Sequence, residues 1–259
     1  PPTFAAMCCF SKPVTSVAAT RIFGRFVDDA RQAVIYQMRL DAPEDLAMIL
    51  PIPVVQPAAD EAVTFVNLEK YKDLFKDLEK GFPKPRSRSK GLDSNSLSID
   101  SKPLKVHSVG SFDASFVPNA ASFGRLDARF RLPDGVWDQL PQYAKFGFAV
   151  FKLKSGNSEV HPMAFTFPSA APGRLFFPTV HIHDGKVHPT EEFDHILYGQ
   201  AGGNATVSGW QESPKLARDF VNADKTAGLV APGEHVYRRA VHGRQKNVDV
   251  MGSVKRLGS

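Results

Sequence analysis

The chain has 259 residues, 42% of them apolar, with 32 Lys and Arg against 27 Asp and Glu for a formal charge of +5. That is the composition of an ordinary soluble globule, large enough for one domain or two small ones and for a core that needs no covalent staple. No stretch reaches the ~18 apolar residues that span a bilayer. The best, residues 46–55, is broken by Pro51 and Pro53.

In chain order, residues 17–26, 33–40, 46–55 and 62–68 read as strands. They are rich in β-branched and apolar residues and are separated by turn signals such as Asp28-Asp29 and Pro43-Glu44-Asp45. A helix is expected over 70–80, where Tyr71, Leu74, Phe75 and Leu78 recur at helical spacing, and Pro83 and Pro85 end it. Residues 82–103 are mostly Pro, Ser, Lys, Arg and Asp without periodicity, the pattern of a loop or linker. The basic run Lys80, Lys84, Arg86, Arg88 and Lys90 carries no interleaved aromatics, so nucleic acid is not expected as a partner. Beyond it the sequence predicts a strand over 104–117, helical pieces over 121–130 and 135–143, and strands over 146–154, 159–167 and 175–183. A helix near 214–222 and a strand over 234–241 complete the series.

The fold class is α+β: β-rich antiparallel sheets with a few short helices. The order of elements suggests two related halves, residues 1–81 and 104–259, joined by a flexible 82–103 and able to pack as one domain. The chain starts Pro1-Pro2 rather than with Met. A removed signal peptide accounts for that, and so does trimming.

Cys8 and Cys9 are the only cysteines. Adjacent Cα atoms lie about 3.8 Å apart, closer than the roughly 4.4 Å a relaxed disulfide wants. The pair therefore suits redox or ligand chemistry better than stapling, with two packed small hydrophobes as the alternative.

The most informative segment is Phe177-Pro178-Thr179-Val180-His181-Ile182-His183-Asp184-Gly185-Lys186-Val187-His188-Pro189. Asp-Gly between alternating apolar residues signals a two-residue hairpin. With Asp184 and Gly185 as its loop, His181 would lie opposite His188. His181, His183 and His188 would share one face, and Val180, Ile182 and Val187 the core face. Three imidazoles so placed can converge on one ion with bonds near 2.0–2.1 Å; a solvated polar face is the alternative. Cys8 or Cys9, on an N-terminal arm long enough to cross a sheet face, is the expected additional ligand. His195 is a candidate fourth ligand or supporting group.

Soft thiolate added to imidazole favours copper or zinc, and an extracytoplasmic setting would put copper first, with zinc as the alternative. Copper implies oxidative or electron-transfer chemistry with an unidentified small-molecule or redox partner. The other readings are a non-catalytic metal-binding or envelope scaffold protein and a zinc hydrolase. Walker A, dinucleotide-binding, HExxH and nucleophile-elbow patterns are lacking. Oligomeric state is left open by the sequence.

Several stretches carry a resemblance: Pro13-Val14 through Thr20-Arg21-Ile22-Phe23; Leu46-Ala47-Met48-Ile49-Leu50-Pro51-Ile52-Pro53; Val109-Gly110-Ser111-Phe112-Asp113; and Phe146 to Leu153 followed by His161-Pro162 and Phe165-Thr166-Phe167-Pro168. Together they resemble a family of extracytoplasmic bacterial proteins of unknown function, across roughly residues 8–183. That resemblance implies a periplasmic or secreted setting and a fold, and no activity. The family's cysteines lie several residues apart, whereas here they are adjacent.

Overall fold

The computed structural model describes residues 9–83 and 107–256, apart from Ser111, Asp134 and His183. In chain order the strands are β1 (Cys9–Phe10), β2 (Ser16–Phe26), β3 (Arg31–Ala42), β4 (Leu46–Ile52), β5 (Thr64–Asn67), β6 (His107–Val109), β7 (Phe112–Val117) and β8 (Gly147–Leu153). They continue as β9 (Gly156–Glu159), β10 (Met163–Pro168), β11 (Arg174–Phe177), β12 (Thr190–Gln200), β13 (Ala205–Val207), β14 (Gln211–Leu216), β15 (His235–Lys246) and β16 (Val250–Arg256). Among the described residues one α-helix, α1 (Leu74–Lys80), accompanies them, together with short 3₁₀ turns. The expected class, β-rich α+β, is what the chain forms. Among the described residues no helix is long and apolar enough to cross a membrane.

Three sheets form. One has the order β1-β4-β8-β7-β6, a second β14-β15-β12-β2-β3-β10-β5 with β9 also beside β3, and a small third β11-β16-β13. Pairing is antiparallel except where β12 runs parallel to β2. Strands from both sides of residues 84–106 join in the first two sheets, side by side at β4–β8 in the first and interspersed in the second, so each of these two sheets is completed only by both parts of the chain.

The layers follow from strand alternation. Met48, Leu50, Phe151 and Ala114 of the first sheet meet Ile22, Val34, Tyr36, Phe165 and Leu197 of the second in the main core. On the second sheet's other face, Phe23, Ile35 and Tyr198 are covered by Leu74, Phe75 and Leu78 of α1 and by Val221, Leu229 and Val230. The outer face of the first sheet, Ala47, Ile49, Phe148 and Val150, is covered by Phe123, Leu132, Val136, Tyr143, Val180 and Ile182. Pro51 lies in β4 beyond the two residues that pair with β1. A residue without N–H is tolerated on such an unpaired stretch of strand edge.

Three sequence expectations fail locally. The helices expected over 121–130 and 135–143 are 3₁₀ turns at Ala120–Arg125, Ala128–Phe130, Trp137–Gln139 and Pro141–Tyr143. Pro133, Pro141 and Gly135 at φ +78° break them before an α-helix can extend. The helix expected near 214–222 is instead the end of β14 and a turn at Ala217–Asp219. The apolar spacing of Leu216, Ala217, Phe220 and Val221 imitates a helix, but Leu216 pairs with His235 and Ala217 N donates to Glu234 O.

Buried Gln32 ties the second sheet to the third. Its Nε2 donates to Phe176 O at 2.7 Å and its Oε1 accepts from Phe176 N at 3.0 Å. Stranding two buried main-chain groups costs roughly 1–3 kcal/mol each. Gln32→Leu should therefore lower the unfolding free energy by about 2–4 kcal/mol in urea titration, and a change under 1 kcal/mol would count against this tie.

Candidate functional site

The histidine segment does not form the expected hairpin. β11 stops at Phe177, and residues 178–182 run on extended but are held by side chains rather than by a strand across the turn. The Asp184-Gly185 turn itself is present: Lys186 N donates to Asp184 Oδ1 and Gly185 has φ +75°. The ladder fails because the main chain of His181 is already taken. His181 N donates to Asn247 Oδ1 at 2.7 Å, and Asn247 Nδ2 donates to His181 O at 2.8 Å and to His188 O at 3.0 Å.

Two residues on, Asp249 continues the clamp. Its carboxylate accepts from Thr179 N (2.7 Å), Val180 N (2.9 Å) and the Tyr143 hydroxyl (2.6 Å), and Thr179 Oγ1 donates to Val248 O. Asp249 as a residue keeps some exposure, but its carboxylate is turned inward onto these donors. Burial pushes its pKa up to about 6, against the opposing pull of the hydrogen bonds. The same environment holds the Tyr143 phenol above its usual range.

The alternation expected of the segment holds for its apolar side: Val180 and Ile182 are buried under the first sheet, with Val187 packed beside them. On the other side, the face expected to carry His181, His183 and His188, His181 is the one of the three that is buried among the described residues. His181 is fully buried, its ring stacked on Phe193 at 4.2 Å and on His195 at 5.2 Å between centroids, with interplanar angles of 26° and 19°. Phe193 and His195 project from β12 on one face, two residues apart. His195 is wholly buried, and burial holds its pKa well below the usual imidazole value, so the ring is neutral.

His188 is half-exposed, with Nε2 3.0 Å from Asp184 Oδ2. Cys9 sits in β1, fully buried, with Sγ 3.7 Å from Val180 O. Cys9 also bridges Ile182, and Phe10 N donates to Ile182 O at 2.8 Å. The N-terminal arm thus crosses to the histidine segment, as its length suggests. Its thiol joins the Val180 and Ile182 side, whereas the His181 ring turns to β12. Cys8 and His183 lie outside the described residues.

Metal–imidazole bonds lie in the ring plane. Two rings stacked at 19° send their nitrogen lone pairs along nearly parallel planes rather than to a common point. Among the described residues no group of three His, Cys, Asp or Glu side chains could hold a metal ion. A centre on this segment would have to draw on His183 and Cys8. Sequence reasoning flagged His195 but missed Phe193, Asn247 and Asp249. The last two stand in Lys246-Asn247-Val248-Asp249, a stretch that no local pattern marks.

A second feature brackets residues 84–106. α1 and the residues after it are firmly seated. The Tyr71 hydroxyl donates to Asp77 at 2.6 Å and accepts from Asn222 N at 2.9 Å. Phe82 is buried against Tyr198, and Arg238 lies over its ring at 4.7 Å. A Cβ on Gly81 would stand 2.6 Å from the Phe220 ring, so helix and loop pack without spare room. A cleft of about 860 Å³, lined by Lys80, Pro83, Lys215, Arg218 and Phe220, opens beside this exit. On the far side the chain re-enters through β6, paired to β7.

No family model matches the sequence, and no curated protein matches it. Among solved structures the chain is similar to a mutated baculovirus P35 after caspase cleavage, with 15% identity over 92% of this chain and 100% of that one and a TM-score of 0.50. It also aligns with baculovirus P35 (11% identity, 95% and 99% of the two chains, TM-score 0.48). A P35 chain in complex with caspase-8 aligns too (13%, 91% and 96%, TM-score 0.47). At these identities the likeness concerns the fold.

The Asp249 carboxyl has a folded pKa of about 6 against an ordinary 3.8. The folded state therefore holds the proton more tightly, and this group's contribution is fully present below pH 3.8 and is lost as pH rises through about 6. Asp249→Asn keeps the shape without the titration. Between pH 4 and pH 7 the native protein should lose about 1–3 kcal/mol of unfolding free energy relative to that variant. Parallel stability profiles in urea titrations would remove the effect from Asp249.

Proposed function

We propose that this chain is a substrate-like ligand of a caspase-type cysteine protease, cut within residues 84–106 and keeping its fold afterwards. The likeness to a caspase-cleaved P35, spanning 92% of this chain and all of the other, carries the reading. Two features of this chain agree with it. Residues 84–106 contain Gly91-Leu92-Asp93-Ser94 and Ser98-Ile99-Asp100-Ser101, two bonds that follow an aspartate, the residue such proteases require. Strands from both sides of the segment pair with one another in two sheets, so a single cut leaves both fragments bound in one body. A protease that cuts such a chain does not see its product diffuse apart, and slow release makes the substrate a competitor.

Incubation with a purified caspase should yield two fragments under denaturing conditions while the native elution volume stays unchanged. The Asp93→Asn/Asp100→Asn double variant should remain whole. Cleavage of that variant at the wild-type rate, or no cleavage of the native chain, would end the proposal.

A second reading keeps a transition metal, copper before zinc, on His181, His183, His188, Cys8 and Cys9. The observation in its favour is that β1 runs beside Ile182 and brings the cysteine arm to the histidine segment. Elemental analysis of untagged protein decides it: near-stoichiometric copper or zinc supports the site, and none after reconstitution rejects it.

A further inference from the structure

The formal charge of the chain is concentrated at its end. Residues 235–256 contain Arg238, Arg239, Arg244, Lys246, Lys255 and Arg256 against the single acid Asp249, a net +5 that equals the charge of the whole sequence. Asp249 is turned inward onto Thr179, Val180 and Tyr143, so it does not offset these cations at the surface.

β15 carries most of them, and it is half an edge. β14 pairs with β15 only at His235, Tyr237 and Arg238, whereas β12 pairs with it as far as Lys246. From Arg239 to Lys246, among the described residues, no strand lies on the side of β15 away from β12. Arg239, His242, Arg244, Gln245 and Lys246 are exposed. An open edge presents main-chain N–H and C=O groups ready to pair with another chain. Its basic side chains oppose pairing with a basic strand and not with an acidic one. Gly243 at φ +73° turns the edge midway and limits any added strand to a short one.

We propose that residues 239–246 of β15 form a docking edge for an extended acidic segment of a partner protein, which adds as a short strand. The spacing fits. His242, Arg244 and Lys246 stand two residues apart, at steps of roughly 6.7 Å, the repeat with which an extended chain presents alternate side chains. A partner with carboxylates at every second position meets Arg244 and Lys246 on successive steps, with the His242 imidazole as a hydrogen-bonding group beside them, and its main chain completes the edge. Glu192, opposite Arg244 on β12, and Asp194, opposite His242, stand one strand inward. They disfavour a uniform polyanion such as nucleic acid, which would be drawn across both columns. A single added strand pairs with β15 alone.

The test uses the full chain and an eight-residue peptide alternating Glu and Thr, labelled with fluorescein. The peptide should bind and should slow amide exchange within residues 239–246. Arg244→Gln/Lys246→Gln, two exposed positions outside the core, should weaken it roughly tenfold, the scale of two surface ion pairs. Methylating alternate peptide nitrogens, which keeps the charge and removes strand hydrogen bonds, should weaken it at least as much. Unchanged binding of the methylated peptide would reduce the edge to a charge effect and overturn strand addition. So would protection elsewhere in the chain, a 20-base-pair duplex that binds more tightly than the peptide, or an edge closed by a second copy of the chain in sedimentation.

Discussion

A peptide group taken out of water must find both a donor and an acceptor, and three buried carboxamides meet that demand where the sheets of this protein break off. A side-chain amide carries one C=O and one NH₂, the complement of a single main-chain residue. Gln32 matches Phe176, Gln200 matches Ala231, and Asn247 matches His181, each with two hydrogen bonds. Each pairing stands where a ladder would otherwise need another strand. Gln32 fastens the third sheet to the second, Gln200 fastens the end of β12 to the loop before β15, and Asn247 fastens the histidine segment to the link between β15 and β16. These three ties fix the joints that strand pairing leaves open, while the apolar core holds the first sheet against the second.

Much of this fold is legible in the sequence. Residues 17–26, 33–40, 146–154 and 234–241 alternate or run apolar and become β2, β3, β8 and most of β15. The 3.6-residue spacing of Tyr71, Leu74, Phe75 and Leu78 marks the helical stretch that ends in α1. Phe193, His195 and Leu197 alternate with Glu192, Asp194 and Ile196 in β12, a period-2 signal that was present and was overshadowed by the histidines before it. β13 and β16 gave little warning. They are short or carry Gly252 and Ser253 in place of branched residues, and they are strands because of what they pair with.

The candidate site was legible in composition and not in geometry. Asp184-Gly185 turns as expected, and Val180 and Ile182 face the core. The ladder across the turn depended on residues sixty positions further on, since Asn247 and Asp249 take the main chain of 179–181 first. No local pattern announces that competition. The same remote pairing decides that His181 lies against Phe193 and His195 rather than in water. The protease reading has the opposite character: its Asp-Ser bonds are plain in the sequence, and their meaning comes from the scaffold around them.

The parallel pairing of β2 with β12 has a consequence for how the molecule is made. Arg21 to Arg25 of β2 lie beside Ile196 to Gln200 of β12, so 175 residues separate Arg21 from its partner Ile196. At roughly 5–20 residues per second, translation needs about 10–35 s to supply the second strand after the first. During that interval the β2–β3 hairpin carries an open edge in what will be the middle of a sheet. Long-range pairings of this kind also fold slowly once complete. The growing sheet is therefore exposed to wrong partners at its future centre, along β2, and a chaperone that covers β2 would protect it during that interval.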